Sequence, residues 1–243
     1  MGGTPAIKVM ALLRRKQGVT RDEFLRQWED THGPLLARRL PGLRTYIQNR
    51  AVELRPHGEP PLDGFDEMWL DDLSAYRRLD AFYRSDAGKV IRDHEDEFLE
   101  RGAKLVFAVD QKFIVNRGGA VKVMNYVTRK QGITREQFFR HWEEVHGPLS
   151  ARMLPWFRTY IQDHIVPLPN EQAPPFDGLD EMWVDDLESW KAVFDFFQSD
   201  AGKVMRDDEA QFSDTNAVIF LAEPRVVLGS AEAQFSPSAP PRH

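Results

Sequence analysis

Apolar and polar positions follow the same order twice along this chain, and the first run shows the pattern. Residues 7–13 form an apolar, partly β-branched stretch that is typical of a strand. Phe24 and Trp28 then lie four residues apart, so a helix would place both on one face. Thr20 is a favourable N-cap residue, and Glu23 completes a capping box three residues later. These signals predict a strand followed by a capped helix.

Each helical face continues four residues further to a histidine, which is His32 in the first run and His146 in the second. Both are followed by Gly-Pro, which predicts that the helices end at Gly33 and Gly147, with glycine at the C′ position. A histidine in a last turn can simply bind free carbonyls and interact with the helix dipole. The alternative is a general acid or base at the edge of a pocket, because imidazole titrates near neutral pH.

An internal repeat is the strongest signal in the sequence. An offset of 114 residues, the distance from His32 to His146, aligns the two halves without a gap from residue 7 to about residue 108. Roughly half of the aligned positions are identical. Within each half the pattern predicts strand, helix, strand, strand, helix, strand, with one extra helix, which is the ferredoxin-like plan.

The sequence therefore predicts an α+β fold with two ferredoxin-like domains. The first would span residues 1–115 and the second residues 121–228, joined by a short linker at residues 116–120. Residues 55–64 are too rich in proline for helix or strand and predict a loop. Residues 229–243 are small, polar and proline-rich, so we expect a disordered tail.

Composition narrows the classes of function. The chain has 243 residues and a formal net charge of −6, which argues against nucleic acid or an anionic membrane as the main partner. It has no cysteine, no apolar run long enough to span a bilayer and no secretory signal pattern, so a cytoplasmic protein is expected. Dinucleotide-binding, phosphate-loop, zinc-protease and nucleophilic-serine motifs are also missing, and we expect neither a metal nor an organic cofactor.

The second predicted strand of each half carries a polar row, because side chains two apart share one face of a strand. Such a row is unusual in an apolar core, where every polar head needs a partner. It indicates either a face that is solvated or satisfied by the proline-rich loop, or one wall of a pocket approached by the helix-end histidine. The rows are Tyr46, Gln48 and Arg50 in the first half, and Tyr160, Gln162 and His164 in the second.

The two halves differ in their candidate chemistry. Three positions that are Ala, Leu and Gly in the first half become Asn125, Tyr126 and Trp156 in the second, and Arg50 becomes His164. The second half therefore gains an amide, a phenol and an imidazole. We predict that it holds the more active site.

Paired carboxylates mark the third predicted strand of each half. Asp66 and Glu67 alternate there, as do Asp180 and Glu181, so one carboxylate of each pair must point inward. A structural ion pair is the commoner outcome, and orientation of a histidine is the alternative. The acidic run at residues 93–97 is expected to face solvent.

These motifs together resemble the EthD family of the dimeric α/β-barrel superfamily. The resemblance rests on Arg-Lys-x-Gly, then Thr-x-x-x-Phe, Trp and His-Gly-Pro, then a proline and a Tyr-x-Gln strand, and it covers both halves. Members of the superfamily form homodimers in which two four-stranded sheets close one barrel. The duplication then implies a pseudo-dimer within one chain, and further association of two fused chains stays open. In the family the histidine of His-Gly-Pro is the usual candidate catalytic residue, which implicates His32 and His146.

The resemblance and the residues together predict a small-molecule enzyme that needs no cofactor. Histidine acid–base chemistry would act on an enolisable, lactone or aromatic, polyketide-like substrate, as in an isomerase, lyase or cyclase. Three alternatives stay open: a haem-binding oxidoreductase, a cofactor-free monooxygenase, and a non-catalytic binder of hydrophobic metabolites. The predicted catalytic residues are His146, His32, His164 and Tyr160. The predicted substrate-binding residues are Gln162, Tyr126, Asn125, Tyr46, Gln48, Arg50 and Trp156.

Overall fold

The structure of the chain is a computed structural model that describes residues 6–54, 60–100 and 102–238. Half of the predicted proline-rich loop, residues 55–59, and the end of the predicted tail, residues 239–243, lie outside the described residues. Within the described part of the chain, no helix is long and apolar enough to cross a bilayer.

Strands and helices follow the predicted order in both repeats. The first repeat consists of β1 (Ile7–Leu13), α1 (Arg21–Leu25), a first π-helical segment (Arg26–His32), α2 (Gly33–Arg39), β2 (Leu43–Val52), β3 (Gly64–Leu70), α3 (Leu73–Arg84), α4 (Lys89–Phe98) and β4 (Leu105–Asn116). The second consists of β5 (Val121–Arg129), α5 (Arg135–His141), a second π-helical segment (Trp142–His146), α6 (Gly147–Met153), β6 (Thr159–Val166), β7 (Gly178–Val184), α7 (Leu187–Gln198), α8 (Lys203–Phe212) and β8 (Ser213–Leu228).

The eight strands close one antiparallel barrel in the order β1-β3-β2-β8-β5-β7-β6-β4. Each repeat supplies four neighbouring strands, and the two seams, β2 with β8 and β4 with β6, join the repeats. Register is repeated as well, since Lys8 lies opposite Trp69 in the first repeat and Lys122 opposite Trp183 in the second. The predicted α+β barrel, closed within one chain by its two halves, is confirmed. Closure leaves no exposed sheet edge between the repeats.

The helices begin where the capping signals predict. Thr20 Oγ1 accepts from the Glu23 amide at 3.2 Å, and the Glu23 carboxylate accepts from the Thr20 amide at 2.9 Å. Thr134 and Gln137 form the same reciprocal pair in the second repeat. These caps satisfy amides that the first turn leaves free.

The predicted helix ends at Gly33 and Gly147 are wrong, because the chain continues through both glycines into α2 and α6. Gly33 has right-handed helical angles (φ −55°, ψ −54°), so it is not a left-handed cap. It is needed for close approach, since a Cβ there would lie 2.8 Å from Gln48 Oε1. Pro34 falls in the first turn of α2, where a missing N–H is tolerated. His32 and His146 therefore lie within continuous helices and do not cap a free end.

A layer of buried charge crosses the middle of the barrel. Lys8 Nζ lies 2.8 Å from Glu67, and Lys122 Nζ lies 2.7 Å from the same carboxylate and 3.2 Å from Glu181. Lys8 also contacts Glu181, and it lies 3.3 Å from Asp163. All five side chains are fully buried. The expectation that Glu67 and Glu181 form structural ion pairs agrees with this geometry, and both lysines link one repeat to the other.

The expected disorder after residue 229 does not begin there. Residues Ala231–Phe235 form a 3₁₀ helix, and the ring of Phe235 packs on Trp183 with centroids 4.8 Å apart. Gln234 is buried, with its Oε1 3.4 Å from Lys122 Nζ. Burial of one aromatic ring and one amide over the barrel end explains why this short polar segment is ordered.

Lys122→Met tests the charge layer. Removing one ammonium leaves Glu67 and Glu181 short of a buried counter-charge, so we expect a loss of about 3–5 kcal/mol in the free energy of unfolding, measured by urea titration. Lys191→Met is the matched control, because Lys191 is exposed and pairs only with Asp195 at the surface. The account of the layer is contradicted if the two substitutions cost the same.

Candidate active site

His146 and His32 occupy equivalent places between the barrel wall and the outer helices. Each is the last residue of its π-helical segment, and both side chains are buried. The wider π turn is often found at functional sites. Here it sets each imidazole against the last helix of its repeat, α4 in the first and α8 in the second.

In the second repeat that helix presents a carboxylate. Asp208 Oδ2 lies 2.8 Å from His146 Nδ1, and Asp208 Oδ1 lies 2.8 Å from His141 Nε2. A carboxylate only accepts hydrogen bonds, so neutral His146 carries its proton on Nδ1 and keeps the Nε2 lone pair. Burial works to raise the pKa of Asp208, but the hydrogen bonds from His146 and His141 outweigh it and hold that pKa below its usual range.

His146 lies at the wall of a cavity of about 460 Å³ between the sheet and the helices of the second repeat. Its size is in the range of small-molecule sites, which are mostly apolar with a few convergent polar groups. Much of the wall is aromatic or aliphatic, including Trp142, Leu154, Phe157, Met182, Trp190, Phe197 and Ile219. The polar residues of the wall are Asn125, Tyr126, His146, Ser150, Tyr160, Asp180, Gln198, Arg206, Glu209, Ser213 and Asp214.

Glu209 is an ionisable group of the cavity wall whose pKa is strongly displaced. Burial raises its pKa to about 7, the charge of His146 opposes the rise, and the charges of Asp180 and Asp208 add to it. A carboxyl group with that pKa is substantially protonated near neutral pH. It can therefore donate a hydrogen bond to an oxygen atom in the cavity, which an ordinary glutamate cannot do.

Tyr160 and Asn125 are held by the buried carboxylate Asp180. The Tyr160 hydroxyl donates to Asp180 at 2.8 Å, and the Asn125 amide donates to its other oxygen at 3.0 Å. Trp142 Nε1 and Gln162 Nε2 donate to the Tyr160 oxygen at 3.3 and 3.2 Å. Burial and the neighbouring Asp180 charge raise the pKa of Tyr160 well above its usual value. This phenol therefore shapes the wall and is a poor proton source.

Not every predicted residue of the second repeat reaches the cavity. His146, Tyr160, Asn125 and Tyr126 line it, and Gln162, His164 and Trp156 do not. His164 stacks on Phe139 with centroids 4.2 Å apart and on Trp142 with centroids 5.0 Å apart.

The environment of His164 also argues against an acid–base role. Burial lowers its pKa to about 3, and the charges of Lys112 and Arg135 add to that effect. The imidazole is therefore neutral at physiological pH and packs as an aromatic ring. Trp156 likewise packs on Phe196, with centroids 6.2 Å apart.

In the first repeat an ammonium group occupies the equivalent space. Lys104 Nζ lies 2.9 Å from Glu95 and 2.9 Å from the Tyr83 hydroxyl. The residues at the equivalent positions of the second repeat, Glu209 and Phe197, both line the cavity. Burial works to raise the pKa of Glu95, but Lys104 and His32 outweigh it and hold that pKa at about 2. Strand register places Ala217 at the position of Lys104, since Leu105 pairs with Leu12 and Val218 pairs with Tyr126. Ala217 lines the cavity, and its methyl group cannot fill the space as the lysine side chain does.

His32 has different partners from His146. Its Nδ1 lies 3.3 Å from Nδ1 of His94, which stands where the second repeat has Asp208, and its Nε2 lies 3.5 Å from Glu95. Burial lowers the pKa of His94, and the adjacent His32 lowers it further. His32 therefore has an imidazole and not a carboxylate beside Nδ1.

The predicted polar row of the first repeat is used internally. Tyr46 donates to Asp66 at 2.8 Å, Gln48 donates to a backbone carbonyl at 2.9 Å, and Arg50 pairs with Glu29. All three side chains therefore bind other parts of the protein, and the row is not simply a solvated face.

Sequence reasoning missed Asp208 and Glu209. It treated the equivalent stretch, residues 93–97, as a solvent-facing acidic run, which is wrong for the buried carboxylate of Glu95. A signal was present, since Met205, Asp208 and Phe212 follow helical spacing and share the buried face of α8.

Comparison with known proteins agrees with this architecture. Residues 16–102 and 130–216 each match the model of the EthD domain, and together they cover more than half of the chain. The chain belongs to the EthD family. No curated protein matches the sequence.

Solved structures similar to this EthD chain span both repeats or one. An anthrone oxidase-like protein shares 11% identity over 93% of this chain and 97% of its own, with a TM-score of 0.62. A candidate monooxygenase from Fusobacterium nucleatum shares 8% over 93% and 95%, with a TM-score of 0.53. An EthD-family protein from Bacillus halodurans shares 26% identity over 42% of this chain and 95% of its own, with a TM-score of 0.32. At such identities the first two likenesses show a common fold.

Glu209→Gln and Glu95→Gln form a matched pair of substitutions in this EthD chain. We expect them to change the free energy of unfolding at pH 8 in opposite directions. The folded-state pKa of Glu209, about 7, exceeds its ordinary value of 4.5, so its ionisation increasingly penalises the fold as pH rises from about 4.5 to about 7. Glu209→Gln should therefore stabilise the protein at pH 8, by about 1–3 kcal/mol, and by less at pH 5.

Glu95 has a folded-state pKa of about 2, below its ordinary value, so its contribution is present above about pH 4.5 and is lost only towards pH 2. Glu95→Gln should thus destabilise the protein at pH 8. Thermal and urea unfolding at about pH 5 and pH 8 measure the stability of both variants. A loss of stability at pH 8 for both substitutions would contradict the assigned difference between the two sites.

Proposed function

We propose that this chain is a small-molecule enzyme that uses His146 as a general base in the cavity of the second repeat, with chemistry of the isomerase, lyase or cyclase type. One observation carries the proposal. An imidazole anchored through Nδ1 on Asp208 lies at the wall of an aromatic-lined cavity of about 460 Å³, together with the carboxyl group of Glu209. A base oriented by a carboxylate in a pocket is the arrangement that proton abstraction needs.

The first step moves one proton. His146 Nε2 takes a proton from a carbon next to a carbonyl group, or from a phenol, and its electron pair moves into the substrate to give an enolate or phenolate. Asp208 stabilises the imidazolium that forms, since its oxygen already accepts from Nδ1 at 2.8 Å. The protonated Glu209 carboxyl donates a hydrogen bond to the developing oxyanion.

The second step returns the proton or uses the anion. Return of the proton from His146 to a different carbon gives an isomer. Loss of a leaving group that takes this proton gives lyase chemistry, and attack on a carbonyl within the same molecule closes a ring when the resulting alkoxide takes the proton. The aromatic and aliphatic wall, including Trp142, Trp190 and Met182, favours a flat apolar substrate body. Tyr160 and Asn125 keep Asp180 satisfied and fix the floor of the cavity.

One working site per chain follows from the difference between the repeats. Lys104 occupies the equivalent space in the first repeat, and His32 has His94 where His146 has Asp208. A buried leucine, Leu36, also stands where the second repeat has Ser150. These three replacements support a structural role for the first repeat and a catalytic role for the second.

Haem binding is the second candidate, and one observation favours it. A histidine that ligates a metal usually donates its other ring N–H to a carboxylate, as His146 does to Asp208. His146 would hold haem through Nε2, and haem would supply oxygen and one-electron chemistry when bound. Addition of haemin followed by absorption spectroscopy separates the candidates, because a Soret band that disappears in His146→Ala supports haem.

His146→Ala is the direct test, with His32→Ala as the matched control. Wild-type protein is first screened by thermal shift against uncharged aromatic, lactone and β-keto compounds, and ligands that stabilise it are assayed for turnover and for oxygen uptake. We expect His146→Ala to lower kcat by about 10²–10⁴-fold and His32→Ala to leave it close to wild type, provided that both variants fold.

The outcomes of that test separate the alternatives. Full turnover in His146→Ala would remove histidine from the mechanism. Ligand binding that survives loss of both histidines without any turnover would favour a binding protein. Oxygen uptake without haem would favour a cofactor-free monooxygenase.

The pH dependence of turnover tests whether the protonated Glu209 carboxyl group takes part in the reaction. Because its pKa is about 7 and the protonated form donates the hydrogen bond, turnover should decline as pH rises through about 7. Glu209→Gln keeps an N–H donor and cannot ionise, so its pH profile should lose that alkaline limb. An unchanged alkaline limb in the variant would show that another group titrates there.

A further inference from the structure

One carboxylate in this structure serves two imidazoles. Asp208 accepts from His146 through Oδ2 and from His141 through Oδ1, both at 2.8 Å. The His146 side chain is 8% exposed and that of His141 is 24% exposed, so the pair leads from the cavity wall towards solvent. Phe212 packs against both rings, with centroids 4.8 Å from His141 and 5.1 Å from His146.

The fold does not require this arrangement, as the first repeat shows. Gln27 stands in the place of His141, and His94 stands in the place of Asp208. His94 Nε2 lies 3.2 Å from Gln27 Oε1, and His94 Nδ1 lies 3.3 Å from His32 Nδ1. The same backbone thus holds a neutral amide and two imidazoles there. The carboxylate flanked by two imidazoles occurs in the repeat that has the cavity.

Shared use of one negative charge couples the two imidazoles. When His141 is neutral, most of the Asp208 charge is available to an imidazolium at His146. When His141 is protonated, it pairs with the same charge, and a second positive charge at His146 becomes less favourable. The other ionisable groups that act on His146 are Glu209 of α8 and Asp180 of β7, and Arg206 lies at the cavity wall.

We propose that His141 is a positioning residue that, through the shared Asp208 carboxylate, orients His146 and sets how readily His146 takes a proton. The inference rests on the proposed function only in giving His146 the role of base. It adds a residue that lies outside the cavity wall. It also implies that acid weakens the base in two ways, by protonating His146 directly and by protonating His141.

The test is an NMR titration of the histidine side chains, which needs no substrate. The chain has 7 histidines, so the signal of His146 is identified by its loss in His146→Ala. His141→Phe keeps a ring to stack on Phe212 and removes the charge and the hydrogen bond. We expect it to raise the titration midpoint of His146 by about 0.5–1 pH unit, and Asp208→Asn to lower that midpoint by about 1 unit or more.

A second variant guards against loss of structure. His141→Gln reproduces the residue that the first repeat uses at Gln27, keeps a hydrogen-bond donor and cannot be protonated. It should shift the midpoint of His146 in the same direction as His141→Phe. A His146 midpoint that stays unchanged in a folded His141 variant, or falls, overturns the proposal.

The two proposals fail separately. If His146→Ala abolishes turnover and the His141 variants leave the His146 titration unchanged, His146 is the base and His141 only packs. If His146→Ala retains turnover, the proposed function fails, and the titration still reports whether the two imidazoles are coupled.

Discussion

The buried charge layer is the constraint on which the rest of this structure depends. Lys122 from the second repeat lies 2.7 Å from Glu67 of the first, and Lys8 of the first contacts Glu181 of the second. Each lysine also lies beside the glutamate of its own repeat, with Lys8 2.8 Å from Glu67 and Lys122 3.2 Å from Glu181. Removing one member of such a buried network leaves a charge short of partners, which costs several kcal/mol. Barrel closure therefore gives each glutamate a lysine from both repeats, and these contacts hold the two halves in one relative register.

That shared interior leaves the outer faces of the sheet free to differ. On the helix side of the first repeat, Lys104 and Leu36 fill the space beside His32. On the helix side of the second, Ala217 and Ser150 stand at the same places, and both line a cavity. Duplication thus allows one half to carry a site while the other is packed, because the barrel interior holds both in place. The two equivalent glutamates differ in the same way between the repeats. Glu95 pairs with the ammonium of Lys104, whereas Glu209 has an alanine, Ala217, at the position of that lysine.

Sequence reasoning reached the repeat and the order of elements because both rest on local pattern, and it reached the closed barrel through the resemblance to the EthD family. Capping boxes, alternating strands and an offset of 114 residues are visible without coordinates. The continuation of the helices through Gly33 was not visible, because that glycine serves a close approach to Gln48, a residue that is distant in sequence. Asp208 was missed for a similar reason, since its meaning depends on two imidazoles that lie 62 and 67 residues earlier. His164 shows the converse, because a titratable residue beside a candidate site became a packed ring between aromatic neighbours.

A crystal structure of the protein with a ligand found by the thermal-shift screen tests the central claim most directly. The account predicts one ligand per chain, in the second-repeat cavity, with a polar ligand atom within hydrogen-bond distance of His146 Nε2 and the Asp208 contact to Nδ1 preserved. Lys104 should remain in place in the first repeat. A ligand bound beside His32, or bound in the second-repeat cavity with His146 turned away from it, would contradict the account.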